Sequence, residues 1–247
     1  MKIAGSELET LRVIASCPFI DRLELAAMTG ASRSAVYETV RRLEDAGLVA
    51  YVPHAAELIP PTRRYRLTAE GLQALTEADG SNLDELLRSR PVSAQWLRIL
   101  RDRLDGLAVV YRLVSTVATV AHPVSLHLYR AAPLDAAMTL PGGKTVGIVR
   151  QGRAADRTAF SRRLWMLREG PLPGTTLILV SDEVRLRHAR GRAPRTVNAL
   201  LALEQDAALA APEDPVWRPT ASGPPVALRN ALEQLEPGGE IPVESRP

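Results

Sequence analysis

A single cysteine, Cys17, leaves no partner for an internal disulfide, and its place in an apolar helical pattern marks it as a small buried hydrophobe rather than a reactive thiol. The four histidines, His54, His122, His127 and His188, are scattered and show no zinc-ligand spacing with that cysteine, so no metal and no cofactor is expected. No run of eighteen or more uncharged apolar residues occurs, which gives no reason to expect a membrane span. The first residues, MKIAGSELETLRVIAS, carry acids where a secretory signal needs a basic-then-apolar order, and a cytoplasmic location is expected. The chain also lacks a Ser-His-Asp order, a nucleophile elbow and a phosphate-binding glycine loop. PGGKT at 141–145 lacks the second glycine and the spacing that should precede a P-loop lysine, and reads as a hairpin turn. No catalytic residue is assigned.

What is present is room for one large domain or two ordinary ones: 247 residues, 46% of them hydrophobic. The net charge of +3 conceals an uneven distribution. Residues 1–75 hold 9 basic and 9 acidic groups, and residues 76–121 hold 6 of each. Residues 122–195 hold 13 basic against 5 acidic, and residues 196–247 hold 3 against 8. The positive excess therefore lies in the second half, either as a second nucleic-acid surface or as a basic face masked by the acidic tail.

In residues 6–17, Leu8, Leu11, Ile14 and Ala15 fall at helical spacing, with Ser6 as N-cap and Glu9 completing a capping box. Pro18 stops this helix. Asp21 caps a short second one that carries Leu23, Leu25, Ala26 and Met28 and ends at Gly30. Ser32 caps a third, with Val36, Val40 and Leu43 as its buried stripe, and Gly47 ends it. Residues 48–52 and 63–67 read as two strands of a hairpin around a proline-containing loop, and Thr68 opens another helix. Strand alternation puts Arg64 and Arg66 on one face and Arg63 and Tyr65 on the other.

The order helix, helix, helix, hairpin, helix is that of a winged helix-turn-helix. LAAMTG-AS-RSAVYETVRRLEDAGLV followed by RRYRLTAEGLQAL resembles the multiple-antibiotic-resistance-regulator type over Leu8 to Leu75. The resemblance implies double-stranded DNA as partner, with the third helix in the major groove. It implies Ser32, Arg33, Ser34 and Tyr37 as base or near-base contacts, Arg41 and Arg42 as phosphate contacts, and Arg63, Arg64 and Arg66 as wing residues. Tyr37 can equally pack against the wing or stack on a sugar, and a winged helix can also serve as a protein-binding module.

From about Asn82 to Val120 the pattern is helical again, with Trp96, Leu97, Leu100, Leu104, Leu107, Val110 and Val114 at intervals of three or four and an interruption at Gly106. A connecting or dimerising role is expected for its first half and a core helix of a second domain for its second half. Beyond His122, SLHLYRA, DAAMTLP and TVGIVRQ read as strands, DRTAFSRRLWMLREG as a helix, TTLILVS as a strand and DEVRLRHARGR as a helix. The expected fold class is thus α+β: a winged helix-turn-helix at 1–79, a helical connector at 80–121, an α/β domain with a mixed sheet at 122–220, and a short helix with a mobile tail at 221–247. Trp217 is expected to anchor the segment before it.

PLDAAMTLPGGKTVGIVRQG and ALLALEQDAALAAPEDPVWRP resemble the replication-relaxation proteins of conjugative plasmids and integrated elements, which implies a restriction-endonuclease-like second domain. Such a nuclease needs two carboxylates for Mg²⁺ and a lysine near the attacking water. Asp135 stands where the first acid belongs, but the next strand reads Ile148, Val149, Arg150 and Gln151, and Asp156 reads as a helix N-cap. The second domain is therefore expected to be non-catalytic, with Arg162, Arg163, Arg185, Arg187, Arg190, Arg192 and Arg195 giving its basic character. The function expected is a homodimeric, sequence-specific transcription regulator, of a plasmid or mobile element. The alternatives are a metal-dependent nuclease or relaxase-accessory factor, and a protein-binding adaptor.

Overall fold

In the computed structural model the residues described are 3–56, 59–130, 133–152, 157–167, 173–194 and 197–237. The chain divides into two compact units, 1–118 and 119–247.

The first unit begins with three short helices, α1 (Gly5–Ser16), α2 (Arg22–Thr29) and α3 (Arg33–Asp45). The cap expected from Ser6 lies two residues earlier: Ala4 precedes the helix and its N–H donates to Glu7 Oε2 at 2.9 Å. α2 starts as expected, with the Asp21 carboxylate accepting from the N–H groups of Leu23 and Glu24, and Glu24 reaching back to the Asp21 N–H. Gly30 ends it at φ 66°, in the left-handed region that a Cβ disfavours. The Ser32 hydroxyl accepts from Ala35 N at 3.2 Å and starts α3.

The hairpin is longer than its β-prone residues suggest. β1 (Val49–Ala56) and β2 (Ile59–Leu67) run antiparallel through their prolines, with Tyr51 opposite Tyr65, Val52 opposite Arg64 and Pro53 opposite Arg63. A two-stranded ribbon tolerates proline because each strand keeps a free edge. Ile20 bridges Tyr65, so the turn between α1 and α2 adds itself to β2. α4 (Ala69–Asp79) follows, capped by Thr68. It approaches the end of α3 so closely that a Cβ on Gly71 would sit 2.0 Å from the Leu48 carbonyl oxygen.

α5 (Leu83–Ser89), α6 (Ala94–Asp102) and α7 (Leu104–Ala118) fill the region expected to connect two domains. Two points correct that expectation. The interruption is at Arg103, while Gly106 lies inside α7 and is buried. And α7, expected as core of the second domain, packs against α2 within the first unit, where the buried Tyr111 hydroxyl donates to Pro18 O at 2.7 Å. Almost all of α7 is buried, because its apolar residues run round most of its circumference.

The second unit is built on a six-stranded mixed sheet in the order β3 (Ser125–Leu128), β4 (Ala136–Leu140), β5 (Lys144–Arg150), β6 (Thr175–Val180), β7 (Ala199–Leu203) and β8 (Arg218–Pro219). β5, β6 and β7 are parallel and the outer pairings are antiparallel. PGGKT forms the tight β4–β5 turn, with Gly142 and Gly143 at positive φ. α8 (Arg157–Met166) and α9 (Glu183–Arg192) lie on one face, where Phe160, Leu164, Leu186 and Ala189 pack on Val149, Ile178, Val180 and Leu201. β6 is buried at every residue, as a strand at the centre of a parallel sheet must be. α10 (Glu204–Leu209) and α11 (Leu228–Glu233) complete the unit, and Trp217, 1% exposed, bridges Val226. The cap expected at Asp156, the arginine at 195 and the tail from 238 lie outside the described residues.

Two outcomes follow from this packing. Replacing Gly71 by Ala is expected to destabilise the first unit by about 1–3 kcal/mol, since the added methyl meets backbone and cannot be accommodated by a rotamer change; urea unfolding measures it. Cys17 is fully buried and its thiol is pushed up to about 12 by that burial. A maleimide or iodoacetamide at pH 8 should leave it unmodified in the native chain and label it after denaturation; rapid native labelling would contradict this.

Candidate nucleic-acid interface

α3 buries Val36, Thr39, Val40 and Leu43. With 3.6 residues per turn, the line opposite them is Ser34, Glu38, Arg41 and Asp45. All four are exposed. Arg33, Tyr37 and Glu44 form the flank towards α2 and the hairpin, while Arg42 forms the flank towards α1 and pairs with Glu7 there at 3.3 Å. Ser32 is occupied as the cap, and its hydroxyl lies 3.1 Å from that of Ser34. All four of the expected base-contacting group, Ser32, Arg33, Ser34 and Tyr37, are exposed, and Tyr37 is 55% so. Tyr37 does not pack on the wing: the Arg22 guanidinium stacks on its ring at 4.1 Å.

The wing arginines separate. Arg63 is exposed and stacks over the Tyr51 ring at 4.3 Å. Arg66 is half-buried and donates to the Leu67 carbonyl at 3.1 Å. Arg64 is a correction to the expected DNA-contacting set: it is 0% exposed. Its Nη1 donates to Glu24 Oε2 at 2.9 Å and to Phe19 O at 3.1 Å, its Nη2 to Glu24 Oε1 at 3.3 Å, and its Nε to His54 Nδ1 at 3.2 Å. Because an arginine can only donate, His54 must accept at Nδ1 and carry its proton on Nε2, which donates to Asp105 at 2.8 Å. Glu24 is equally inaccessible; burial pushes its carboxyl up to about 7, and the Arg64 charge pulls the other way. No donor of Arg64 can reach a nucleic acid without this network coming apart.

Sequence reasoning missed three contributors. Arg22 directly follows the Asp21 cap, which is the only signal for it. Glu44 joins the helix to its surroundings, with Arg22 at 3.0 Å and Arg63 at 3.8 Å. Glu38 places a carboxylate in the middle of the outward line of α3, where one acceptor can select an exocyclic amino group and repel misplaced phosphate.

In the second unit Asp135 is engaged by protein groups. Its Oδ2 accepts from the Arg150 N–H at 2.6 Å and from Arg163 Nη2 at 2.7 Å, and Arg163 also donates to Pro133 O and Arg150 O. At the end of β7, Glu204 holds the Arg150 side chain at 2.9 Å and the Gly152 N–H at 3.2 Å. Both of these carboxylates are thus bound by a guanidinium. Among the described residues no group of three or more His, Cys, Asp or Glu is placed to hold a metal ion, and no helix is long and apolar enough to cross a membrane. Of the basic residues, Arg162, Arg187 and Arg192 are exposed, whereas Arg163, Arg185 and Arg190 are tied to Asp135, Asp182 and the carbonyls of Thr220 and Ala221.

Residues 5–50 match the family model described as winged helix-turn-helix DNA-binding, less than half of the chain. The first unit therefore carries a winged helix-turn-helix DNA-binding domain, formed by α1 to α3 and the β1–β2 wing. Similar solved structures include a MarR family protein of Mycobacterium tuberculosis in complex with salicylic acid, 24% identical, covering 42% of this chain and 77% of that one with a TM-score of 0.26. FabT of Streptococcus pneumoniae in complex with DNA is 16% identical, covers 47% and 78%, and has a TM-score of 0.28. The transcriptional regulator SlyA is 19% identical, covers 47% and 78%, and has a TM-score of 0.26. A comparison with curated proteins returns no match.

The buried pair and the exposed arginine beside it should behave oppositely. Arg64→Ala is expected to cost about 3–5 kcal/mol of stability by stranding Glu24, with part recovered when Glu24→Leu is added to Arg64→Met. Arg63→Ala should stay within about 0.5 kcal/mol. Urea unfolding of the full-length chain decides, and an Arg64→Ala protein as stable as the parent would refute the role given to the pair.

Proposed function

We propose that this chain is a sequence-specific double-stranded DNA-binding regulator of transcription that acts as a homodimer in the cytoplasm, and that its second unit has no catalytic role. The observation that carries the reading is the outward face of α3 beside the wing. Ser34 and Arg41 are exposed there, with Tyr37 exposed on its flank, Arg33 at the helix start and Arg63 on the wing, in a domain matched as winged helix-turn-helix. A major groove about 12 Å wide admits one such helix, whose first residues reach base edges while its flanks meet phosphates. A single winged helix reads a half-site, and two-fold pairing supplies the remaining affinity and length.

The resemblance of PLDAAMTLPGGKTVGIVRQG to replication-relaxation proteins supports a nuclease-like second domain and a plasmid or mobile-element setting. The pairing of Asp135 with Arg163 and of Glu204 with Arg150 supports its lack of catalysis, since each guanidinium competes with a divalent cation for the carboxylate.

Selection of duplexes from a random pool, followed by gel-shift at moderate salt, tests the reading. Arg33→Ala should weaken the selected duplex by about 1–3 kcal/mol and relax the preference at one base pair, more than Arg163→Ala does. Affinity indifferent to sequence would end the regulator proposal. Cleavage of duplex DNA with Mg²⁺ or Mn²⁺ that is abolished by Asp135→Ala would make the second unit an enzyme, and absence of any DNA retention at low salt would favour a protein-binding role for the winged helix.

A further inference from the structure

Between the start of α2 and the wing lies an open cavity of about 450 Å³, lined by Arg22, Leu23, Pro61, Thr62, Arg63 and Tyr65. Three features of it are unusual for a plain surface dent. The Tyr65 hydroxyl is buried at its floor and makes no hydrogen bond of ordinary geometry, although Arg63 is close enough to influence it. The Arg22 Nε is likewise buried without a hydrogen-bond partner. Finally, the charges do not cancel: Arg22 and Arg63 share the single carboxylate of Glu44, leaving one positive charge unmatched. Buried donors with no acceptor are costly, and they are kept where something else supplies the acceptor.

The cavity adjoins the Arg33–Tyr37–Glu44 flank of α3, because the same Arg22 guanidinium stacks on Tyr37 and lies 5.3 Å from the centre of the Tyr65 ring. A helix about 10–12 Å across fills a groove of about 12 Å, so beyond the first turn that holds Arg33 this flank runs along the phosphates of one strand. Resting on the DNA-binding reading above, we propose that this cavity is the seat for one phosphodiester of the DNA backbone. Arg22 and Arg63 clamp the anion, the hydroxyls of Thr62 and Tyr65 supply neutral donors, and Glu44 spaces the two guanidiniums when the seat is empty. A phosphodiester is a monoanion, which matches the single unmatched charge. It also fixes the helix and the wing on the same strand, so the seat sets register rather than sequence preference.

The test uses the full-length chain and its selected duplex, with single neutral methylphosphonates placed at each backbone position in turn. In the wild type one position per half-site should weaken binding about tenfold. Arg22→Gln and Arg63→Gln should each weaken the unmodified duplex by a similar factor on specific and non-specific sequences alike. Each should also lower the slope of log affinity against log salt by about 1 and abolish sensitivity to that one methylphosphonate. Circular dichroism and the melting midpoint establish that both variants are folded, and Arg63→Gln, altering an exposed side chain, carries the test if Arg22→Gln is not. Variants that bind more weakly yet keep the wild-type methylphosphonate pattern would overturn the seat while leaving DNA binding intact. Inorganic phosphate that raises the melting midpoint of the wild type but not of Arg22→Gln, with an unchanged methylphosphonate pattern, would reassign the cavity to a free anion and overturn the proposal. A wild-type chain that retains no duplex overturns the DNA reading itself, and does so before any variant is compared.

Discussion

Inside the first unit, a guanidinium and a carboxylate with no access to water hold together the three parts of the winged helix. Glu24 is both the third residue of the α2 capping box and the acceptor for Arg64 from the wing. The hydrogen bond that starts α2 and the one that docks β2 therefore share one carboxylate. The Phe19 carbonyl and the His54 ring take the remaining donors, and His54 passes the chain of bonds to Asp105 on α7. A buried ion pair repays its desolvation only when every lone pair and proton is used, and here they nearly all are. What this secures is orientation: α3 follows α2 through the single turn at Gly30, so fixing α2 against β2 fixes α3 against the wing.

That division of labour explains how a segment with as many acids as bases can present a DNA-reading face. Several acidic groups of the domain are engaged by arginines serving structure, as in Glu24 with Arg64, Glu7 with Arg42 and Asp79 with Arg12. Arg41 on the outward line of α3, next to Glu38, and Arg33 on its flank have no ion pair among the described residues. A face whose few positive charges stand beside the carboxylates of Glu38 and Asp45 gains little from unspecific attraction to phosphate, so discrimination rests on base edges and on a small number of placed backbone contacts.

Much of the fold was legible because its punctuation is local. The caps at Asp21, Ser32 and Thr68, the glycine at 30 and the alternating wing strands each act within four residues. What was not legible depends on partners distant in sequence. Alternation could say that Arg64 and Arg63 point to opposite faces, but not that both faces are covered at this point, with Arg64 buried against Glu24 on one and Tyr65 buried beside Arg22 on the other. The apolar stripe of α7 announces a buried helix without naming its partner, which is α2 rather than the following sheet. Arg22 carries no pattern beyond its place after the Asp21 cap, since stacking on Tyr37 is a relation between two helices. In the second unit the alternation and the continuous apolar run at 175–180 revealed a mixed sheet, while the guanidiniums on Asp135 and Glu204 required the sheet to be assembled first.

The central claim is that α3 and the wing together meet duplex DNA while the Arg64–Glu24 network stays closed behind them. Backbone amide shift mapping of the full chain during titration with the selected duplex tests this most directly. The account predicts large changes at residues 33–42 and 61–66, with the indole and amide signals of α5 to α7 and the Glu24 amide scarcely moved. Changes centred on α7 or on the second unit, with α3 silent, would contradict it.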